Sequence, residues 1–152
     1  MINFKRLFIS ILIPNALGFL GSLIGNVSNG FDSINKPFFT PPSIVFPIAW
    51  TILYILMGIS SYLVYSSDSK NRKKALIIYG IQLLLNASWT FFFFNVKWFL
   101  FAFVLVLIIL LLTIWMTVEF YKINKVSAFL QVPYIVWLIF ASILSYNVYL
   151  LN

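Results

Sequence analysis

The chain contains no cysteine and no histidine, and only three of its 152 residues are acidic. Without cysteine there is no disulfide framework, no thiol nucleophile and no cysteine metal site. Charged residues make up 9% of the sequence, whereas an average soluble domain has roughly 25%. Hydrophobic residues make up 62% and aromatic residues 20%. Because so little polar surface is available to face water, the composition predicts an integral membrane protein.

The three acids are Asp32, Asp68 and Glu119, and we expect each to lie in a loop or at a helix end. General acid–base catalysis needs a positioned titratable group, and a metal site needs several convergent ligands. A proton relay or ion pump normally buries a charged residue in a transmembrane helix. The sequence therefore argues against a hydrolase, a dehydrogenase or an ion-coupled transporter, and we expect neither a metal nor a resident cofactor.

Five apolar segments are long enough to cross a bilayer, which takes about 20 residues as a helix. None of them contains Lys, Arg, Asp or Glu, and they are too long and too uniformly apolar for barrel strands. The sequence predicts an all-α membrane protein, a bundle of five transmembrane helices that forms a single domain over residues 1–152. The predicted helices span about residues 7–25, 43–65, 75–96, 99–118 and 128–150.

The first segment also resembles a secretory signal peptide, because Lys5 and Arg6 precede an apolar run. The run over 7–25 is longer than a typical signal-peptide core of about 7–15 residues, and no clear Ala-x-Ala cleavage site follows it. We expect it to be retained as the first helix.

The basic residues lie in short runs between the apolar segments, which favours a role in topology and in contacts with anionic lipid over nucleic-acid binding. With alternating helices, eight of them fall on one side of the membrane and two on the other. This asymmetry predicts the N-terminus inside and the C-terminus outside. The eight are Lys5, Arg6, Lys70, Arg72, Lys73, Lys74, Lys122 and Lys125, and the two are Lys36 and Lys97.

Three predicted helices each carry a tryptophan with polar or small residues on the same face. If these faces converge, they form an aromatic box with a few hydrogen-bonding groups, which is the general description of a small-molecule pocket. Tryptophans also anchor helices at the membrane interface, as we expect for Trp98 and Trp115, and an asparagine in an apolar helix also bonds neighbouring helices. The three faces are Trp50, Tyr54 and Met57; Asn86, Trp89 and Phe93; and Trp137, Ala141 and Ser145.

The first loop, residues 26–42, is rich in proline and phenylalanine. Pro37, Pro41 and Pro42 fix three φ angles and remove three backbone donors, so we expect a semi-rigid, non-helical loop, with Pro42 in the first turn of the second helix. We interpret the loop as a lid, in which Phe38, Phe39 and Phe46 cap the pocket. The alternative is an interfacial loop whose phenylalanines dip into lipid.

Three stretches carry a family resemblance. "KPFFTPPSIVFPIAWTILYILMGISSYLVY" (36–65), "NASWTFFFF" (86–94) and "VPYIVWLIFASILS" (132–145) resemble, in order, the motifs of the TspO/MBR family. This is the family of the translocator protein, or peripheral benzodiazepine receptor, and of the tryptophan-rich sensory proteins. The resemblance covers the chain from about residue 30 to its end.

The resemblance implies a five-helix, multi-pass protein of a bacterial cell membrane that forms homodimers. It implies that the ligands are porphyrins such as protoporphyrin IX, and similar hydrophobic molecules including sterols and benzodiazepine-type drugs. The implied alternatives are light- and oxygen-dependent porphyrin degradation with Trp50 and Trp137, and porphyrin transport. The residues that the resemblance assigns to the pocket are Phe31, Pro41, Pro42, Phe46, Trp50, Tyr54, Asn86, Trp89, Trp137, Ala141 and Leu144.

The chain departs from the family pattern at several positions. Gly30-Phe31 stands where many members have Trp-Tyr, and Phe39 stands where many have Trp. Ser145 replaces the usual asparagine of the last motif, and no Lys or Arg follows the final tyrosines. The cholesterol-recognition segment of the family is therefore absent in form.

Overall fold

The computed structural model describes all 152 residues and is entirely helical outside its turns and loops. Five helical stretches are long and apolar enough to cross a membrane, which confirms the predicted fold class. The helices are α1 (Phe4–Ile24), α2 (Val27–Asp32), α3 (Val45–Tyr65), α4 (Arg72–Thr90), α5 (Phe99–Ile123), α6 (Lys125–Phe129) and α7 (Val132–Leu151), and a π-helical turn, Phe91–Asn95, continues α4.

Several helix ends differ from the predicted ones because polar side chains extend or cap the apolar runs. Helix α1 begins three residues early, at Phe4, where the side chain of Asn3 accepts a hydrogen bond from the backbone N–H of Arg6 at 3.1 Å. Helix α5 continues to Ile123 and not to 118. The last span is divided, since Asn124 caps the short α6 by accepting from the N–H of Ser127 at 3.1 Å.

The expectation that the first loop is free of helix was wrong for its first part. Helix α2 occupies Val27–Asp32, and it follows Asn26, whose φ of 53° lies in the left-handed region. The prolines come after this helix, so they do not prevent it from forming. Helix α3 begins only at Val45, so Pro42 lies ahead of the helix and not in its first turn, and its carbonyl accepts from the N–H of Val45 at 3.0 Å.

The transmembrane helices form a ring in which α1 packs on both α3 and α4, and α5 packs on both α4 and α7. The short α6 completes the ring by packing against α3, where the hydroxyl of Ser60 donates to the carbonyl of Ser127 at 2.7 Å. Helices α3 and α7 meet mainly through aromatic side chains, such as Trp50 against Trp137. That aromatic seam lies beside the candidate site.

Glycines permit the close approach of α1 to its two neighbours. A Cβ atom on Gly58 of α3 would collide with the backbone of α1 at Ile11, and one on Gly21 of α1 would lie 2.7 Å from the carbonyl oxygen of Ala87 on α4. In the bilayer, helices associate through such packing and interhelical hydrogen bonds. The hydroxyl of Thr90 adds one of these bonds by donating to the carbonyl of Gly21 at 2.7 Å.

Glu119 does not lie in a loop or at a helix end as we predicted. Because α5 is longer than its apolar run, Glu119 lies inside the helix with its side chain 5% exposed. Its carboxylate pairs with Lys122 at 3.1 Å and with Lys74 at 3.6 Å. Two lysines therefore compensate this buried charge, and the pair with Lys74 joins α4 to α5.

We expect Gly58→Ala to lower the stability of the bundle, because the added methyl group meets the backbone of α1. Overpacking of this kind typically costs about 1–3 kcal/mol. Gly80→Ala is the matched control, since a Cβ at Gly80 has no neighbour within 4 Å. Thermal unfolding in detergent should show a lower Tm for Gly58→Ala alone. Equal Tm values for the two variants would contradict the role of Gly58.

Candidate ligand-binding site

A cavity of about 770 Å³ lies inside one half of the bundle, beneath the first loop. Drug-sized and cofactor-sized ligands typically occupy pockets of about 300–1,000 Å³. Its walls come from α1, α3, α4, α5, α7 and the π-helical turn, and α2 with the rest of the first loop forms its roof. Twenty of the 33 lining residues are hydrophobic, so the cavity suits a largely apolar ligand.

The structure brings nine of the eleven sequence-predicted site residues to this cavity. Pro41 and Pro42 do not line it. Both prolines lie in the part of the first loop that leads into α3, where Pro41 is half-buried and Pro42 is exposed. The nine lining residues are Phe31, Phe46, Trp50, Tyr54, Asn86, Trp89, Trp137, Ala141 and Leu144.

Five aromatic rings form a continuous wall along one side of the cavity. Phe31 packs edge-to-face on Phe46 at 5.5 Å between ring centroids, and Phe46 on Trp137 at 5.9 Å. Trp137 meets Trp50 at 6.2 Å, and Trp50 stacks on Tyr54 at 5.4 Å. Edge-to-face and offset-stacked pairs are the favoured geometries of aromatic rings, so this wall is well packed before any ligand enters.

Trp89 has a structural role in addition to lining the cavity. Its indole N–H donates to the carbonyl of Ala102 on α5 at 2.9 Å, and its ring stacks on Phe93 at 4.6 Å. Of the three cavity tryptophans, only Trp89 donates a hydrogen bond to the protein. The N–H groups of Trp50 and Trp137 are therefore the ones free to bind a polar atom of a ligand.

Asn86 both lines the cavity and bonds a neighbouring helix, which were the two interpretations of its sequence position. Its amide donates to the hydroxyl of Tyr54 at 3.4 Å, which joins α4 to α3, and it also lines the cavity. Both side chains are buried, with exposed fractions of 4% for Asn86 and 9% for Tyr54. This pair forms a polar patch on an otherwise apolar surface.

The comparison with known proteins agrees with this architecture. The model of the TspO/MBR family matches residues 10–151. A protein called tryptophan-rich protein TspO from Archaeoglobus fulgidus is 36% identical over 152 residues, which cover 99% of each chain.

The chain belongs to the TspO/MBR family. A tryptophan-rich sensory protein from Cereibacter sphaeroides is 34% identical over 80% of this chain and 76% of its own. The translocator protein of Ovis aries is 31% identical over 91% of this chain and 85% of its own. The family resemblance drawn from the three motifs is thereby confirmed.

The TspO/MBR pattern places tryptophan where this chain has Gly30, and the structure gives a reason for the difference. Gly30 is buried against Phe94, and a Cβ atom there would lie 2.7 Å from the Cβ of Phe94. Phe94 in turn packs edge-to-face on Trp89 at 6.0 Å and lines the cavity. The backbone and the Cβ of residue 94 therefore leave no room for a side chain at position 30 unless the first loop or the π-helical turn shifts.

Two phenylalanines of the predicted lid do not cap the cavity in this TspO/MBR protein. Phe38 is fully exposed and its ring meets that of Phe39 edge-to-face, and neither lines the cavity, whereas Phe46 does. The exposure of Phe38 fits the interfacial alternative. Phe31, in the last turn of α2, and Ile34, just after it, line the cavity in their place.

A whole wall of the cavity, from α1, was missing from the sequence-based prediction. Asn15, Gly18 and Ser22 line it from positions i, i+3 and i+7. This spacing places a stripe of polar and small residues on one face of an apolar helix. The sequence alone could therefore have indicated that this face of α1 lines the cavity. Trp98 and Trp115 lie outside the cavity with exposed fractions of 57% and 48%, as the anchor interpretation predicts.

We expect Trp89→Phe to destabilise the protein more than Trp137→Phe. Both changes replace indole by a smaller ring, but only the first removes a hydrogen bond to the protein, that to Ala102. A hydrogen bond of this kind is worth about 1 kcal/mol, and more when its carbonyl is left unpaired in an apolar environment. The measurement is thermal or denaturant unfolding without ligand, and equal stabilities would count against the structural role.

Proposed function

We propose that this TspO/MBR protein binds porphyrins, such as protoporphyrin IX, and similar flat hydrophobic ligands in the cavity beneath the first loop. The single observation that carries the proposal is the aromatic wall of a cavity of about 770 Å³, in which Trp50 and Trp137 meet edge-to-face at 6.2 Å. Aromatic faces bind planar ring systems by stacking and by edge contacts. The free indole N–H groups and the Asn86–Tyr54 pair supply polar contacts that orient such a ligand.

A fluorescence titration tests the proposal. In the dark, protoporphyrin IX should quench the tryptophan fluorescence saturably. Trp50→Phe and Trp137→Phe should each weaken binding roughly fivefold, because a hydrogen-bond donor and ring area are lost from the cavity wall. Trp98→Phe and Trp115→Phe are matched controls outside the cavity and should leave the affinity unchanged. Quenching that never saturates, or an equal effect of all four changes, would refute the proposed site.

The same samples also test light- and oxygen-dependent porphyrin degradation, which one observation favours. Trp50 is stacked on Tyr54 at 5.4 Å and meets Trp137 at 6.2 Å, so electron-rich rings are grouped where the porphyrin would bind. A bound porphyrin would absorb the light, with molecular oxygen as the oxidant, and the protein would supply orientation and shielding from water. Loss of porphyrin absorbance under illumination in air that requires Trp50 and Trp137 would establish degradation. Stable absorbance would favour binding alone.

We further propose that the chain is a single TspO/MBR-type domain over residues 1–152. We place it as a homodimer in a bacterial cell membrane, with the N-terminus inside and the C-terminus outside. The orientation is supported by the basic residues around the start of α4, which include Lys70, Lys73 and Lys74, against Lys36 and Lys97 at the opposite ends of the helices. The cavity and the first loop would then face outward.

The absence of cysteine makes this orientation directly testable. Ser66→Cys, just after α3, should be shielded from a membrane-impermeant maleimide in intact cells, and Val96→Cys, in the turn before α5, should be labelled. Both positions are exposed, so both should react once the cells are permeabilised. The reverse pattern in intact cells would show that the positive-inside count misassigns this protein.

A further inference from the structure

The cavity contains only two charged side chains, Asp32 and Lys36, and both lie at its loop end. All the other lining residues are apolar or neutral, and four of the five rings of the aromatic wall belong to α3 and α7 and not to the first loop. A ligand with an apolar body and one polar edge would therefore have a preferred orientation. Its body would lie against the aromatic wall, and its polar edge would face the first loop.

Lys36 is held in place by contacts with the backbone and with an aromatic ring. Its ammonium donates to the carbonyl oxygens of Phe31 at 2.6 Å and of Ile34 at 3.2 Å. It also lies 4.5 Å from the centroid of the Phe31 ring, within the range of a cation–π interaction. The side chain therefore folds back over the C-terminal end of α2, and its charge is fixed at the roof of the cavity.

No acid forms an ion pair with Lys36. The only ion pairs of the protein join Glu119 to Lys74 and to Lys122, so Asp32 does not pair with Lys36. Asp32 is exposed at the rim, whereas Lys36 is half-buried. A lysine ammonium has three donors, and two are used by the carbonyls of Phe31 and Ile34. One charged donor is left for a ligand.

We propose that Lys36 binds a carboxylate carried by the edge of the planar ligand, so that this site selects anionic aromatic molecules over their neutral counterparts. This inference rests on the proposed porphyrin-binding function and assigns its specificity to one residue. Hydrogen bonds between an ammonium and a carboxylate are charge-assisted, and they are about twice as strong as neutral ones. The hydroxyls of Thr40 and Ser43, which also line this end of the cavity, add neutral polar surface beside it.

The test compares two ligands that share one ring system. Protoporphyrin IX and its dimethyl ester are titrated into the wild-type protein and into Lys36→Met, with tryptophan quenching as the readout. The wild type should bind the free acid about tenfold more tightly than the ester, because a hydrogen bond to a charged group is lost with the ester. In Lys36→Met the free acid should bind about as weakly as the ester, and the affinity for the ester should not change.

The ester serves as the internal control for damage to the loop, because Lys36 also bonds the end of α2. If Lys36→Met weakened both ligands equally, its effect would not depend on the carboxylate, and the inference would be overturned. Lys97→Met is the second control, since Lys97 lies outside the cavity and should not alter the preference. Equal binding of acid and ester by the wild type would refute the inference alone, whereas binding of neither would refute the proposed function as well.

Discussion

The close approach of α1 to α3 and to α4 is the constraint on which the rest of this structure depends. Gly58 lets α3 contact the backbone of α1 near Ile11, in the first half of α1, while Gly21 and Gly25 bring its second half against α4. Helix α1 therefore passes from one neighbour to the other along its length. Gly18, which faces the ring of Tyr54, lies between these two contacts and on the wall of the cavity. The cavity occupies the space that this crossing leaves between α1 and the aromatic seam of α3 and α7.

The second constraint is that the hydrocarbon offers no water to satisfy polar groups. Most polar side chains of the spans bond the backbone of their own or a neighbouring helix, as Thr90 does with Gly21 and Trp89 with Ala102. These bonds stabilise the fold, so their donors are not available to a ligand. The indole N–H groups of Trp50 and Trp137 make no hydrogen bond to the protein, and both residues line the same cavity. Trp89 is thus distinguished from the other two cavity tryptophans by the hydrogen bond that its indole N–H makes to the protein.

The five-helix fold and the cavity residues of α3, α4 and α7 could be predicted from the sequence. Bilayer thickness sets the length of each apolar segment, and the helical period sets the spacing of residues that share a face. A span needs about 20 apolar residues, and Trp50 with Tyr54, or Trp137 with Ala141, share a face at i and i+4. The first loop could not be predicted in the same way. Whether a ring such as Phe38 or Phe31 turns inward depends on α2, whose formation is decided by tertiary contacts like that of Gly30 with Phe94. The predicted helix ends were inaccurate for a similar reason. Helices continue beyond their apolar runs where capping side chains and ion pairs stabilise the extra turn, as at Glu119.

The first loop is ordered by contacts that its prolines alone do not explain. At its centre, the N–H of Asn35 donates to the side chain of Asn152 at 3.1 Å, and the amide of Asn152 donates to the carbonyl of Asn35 at 2.9 Å. This reciprocal pair joins the loop to the end of α7, and Lys36, the next residue, joins it to the end of α2. Proline lowers the entropy lost when such a loop orders, and these bonds fix where it lies. Because the roof is attached on two sides, a ligand that enters the cavity meets Lys36 in a position already set by the protein, so little of the binding free energy has to be used to order it.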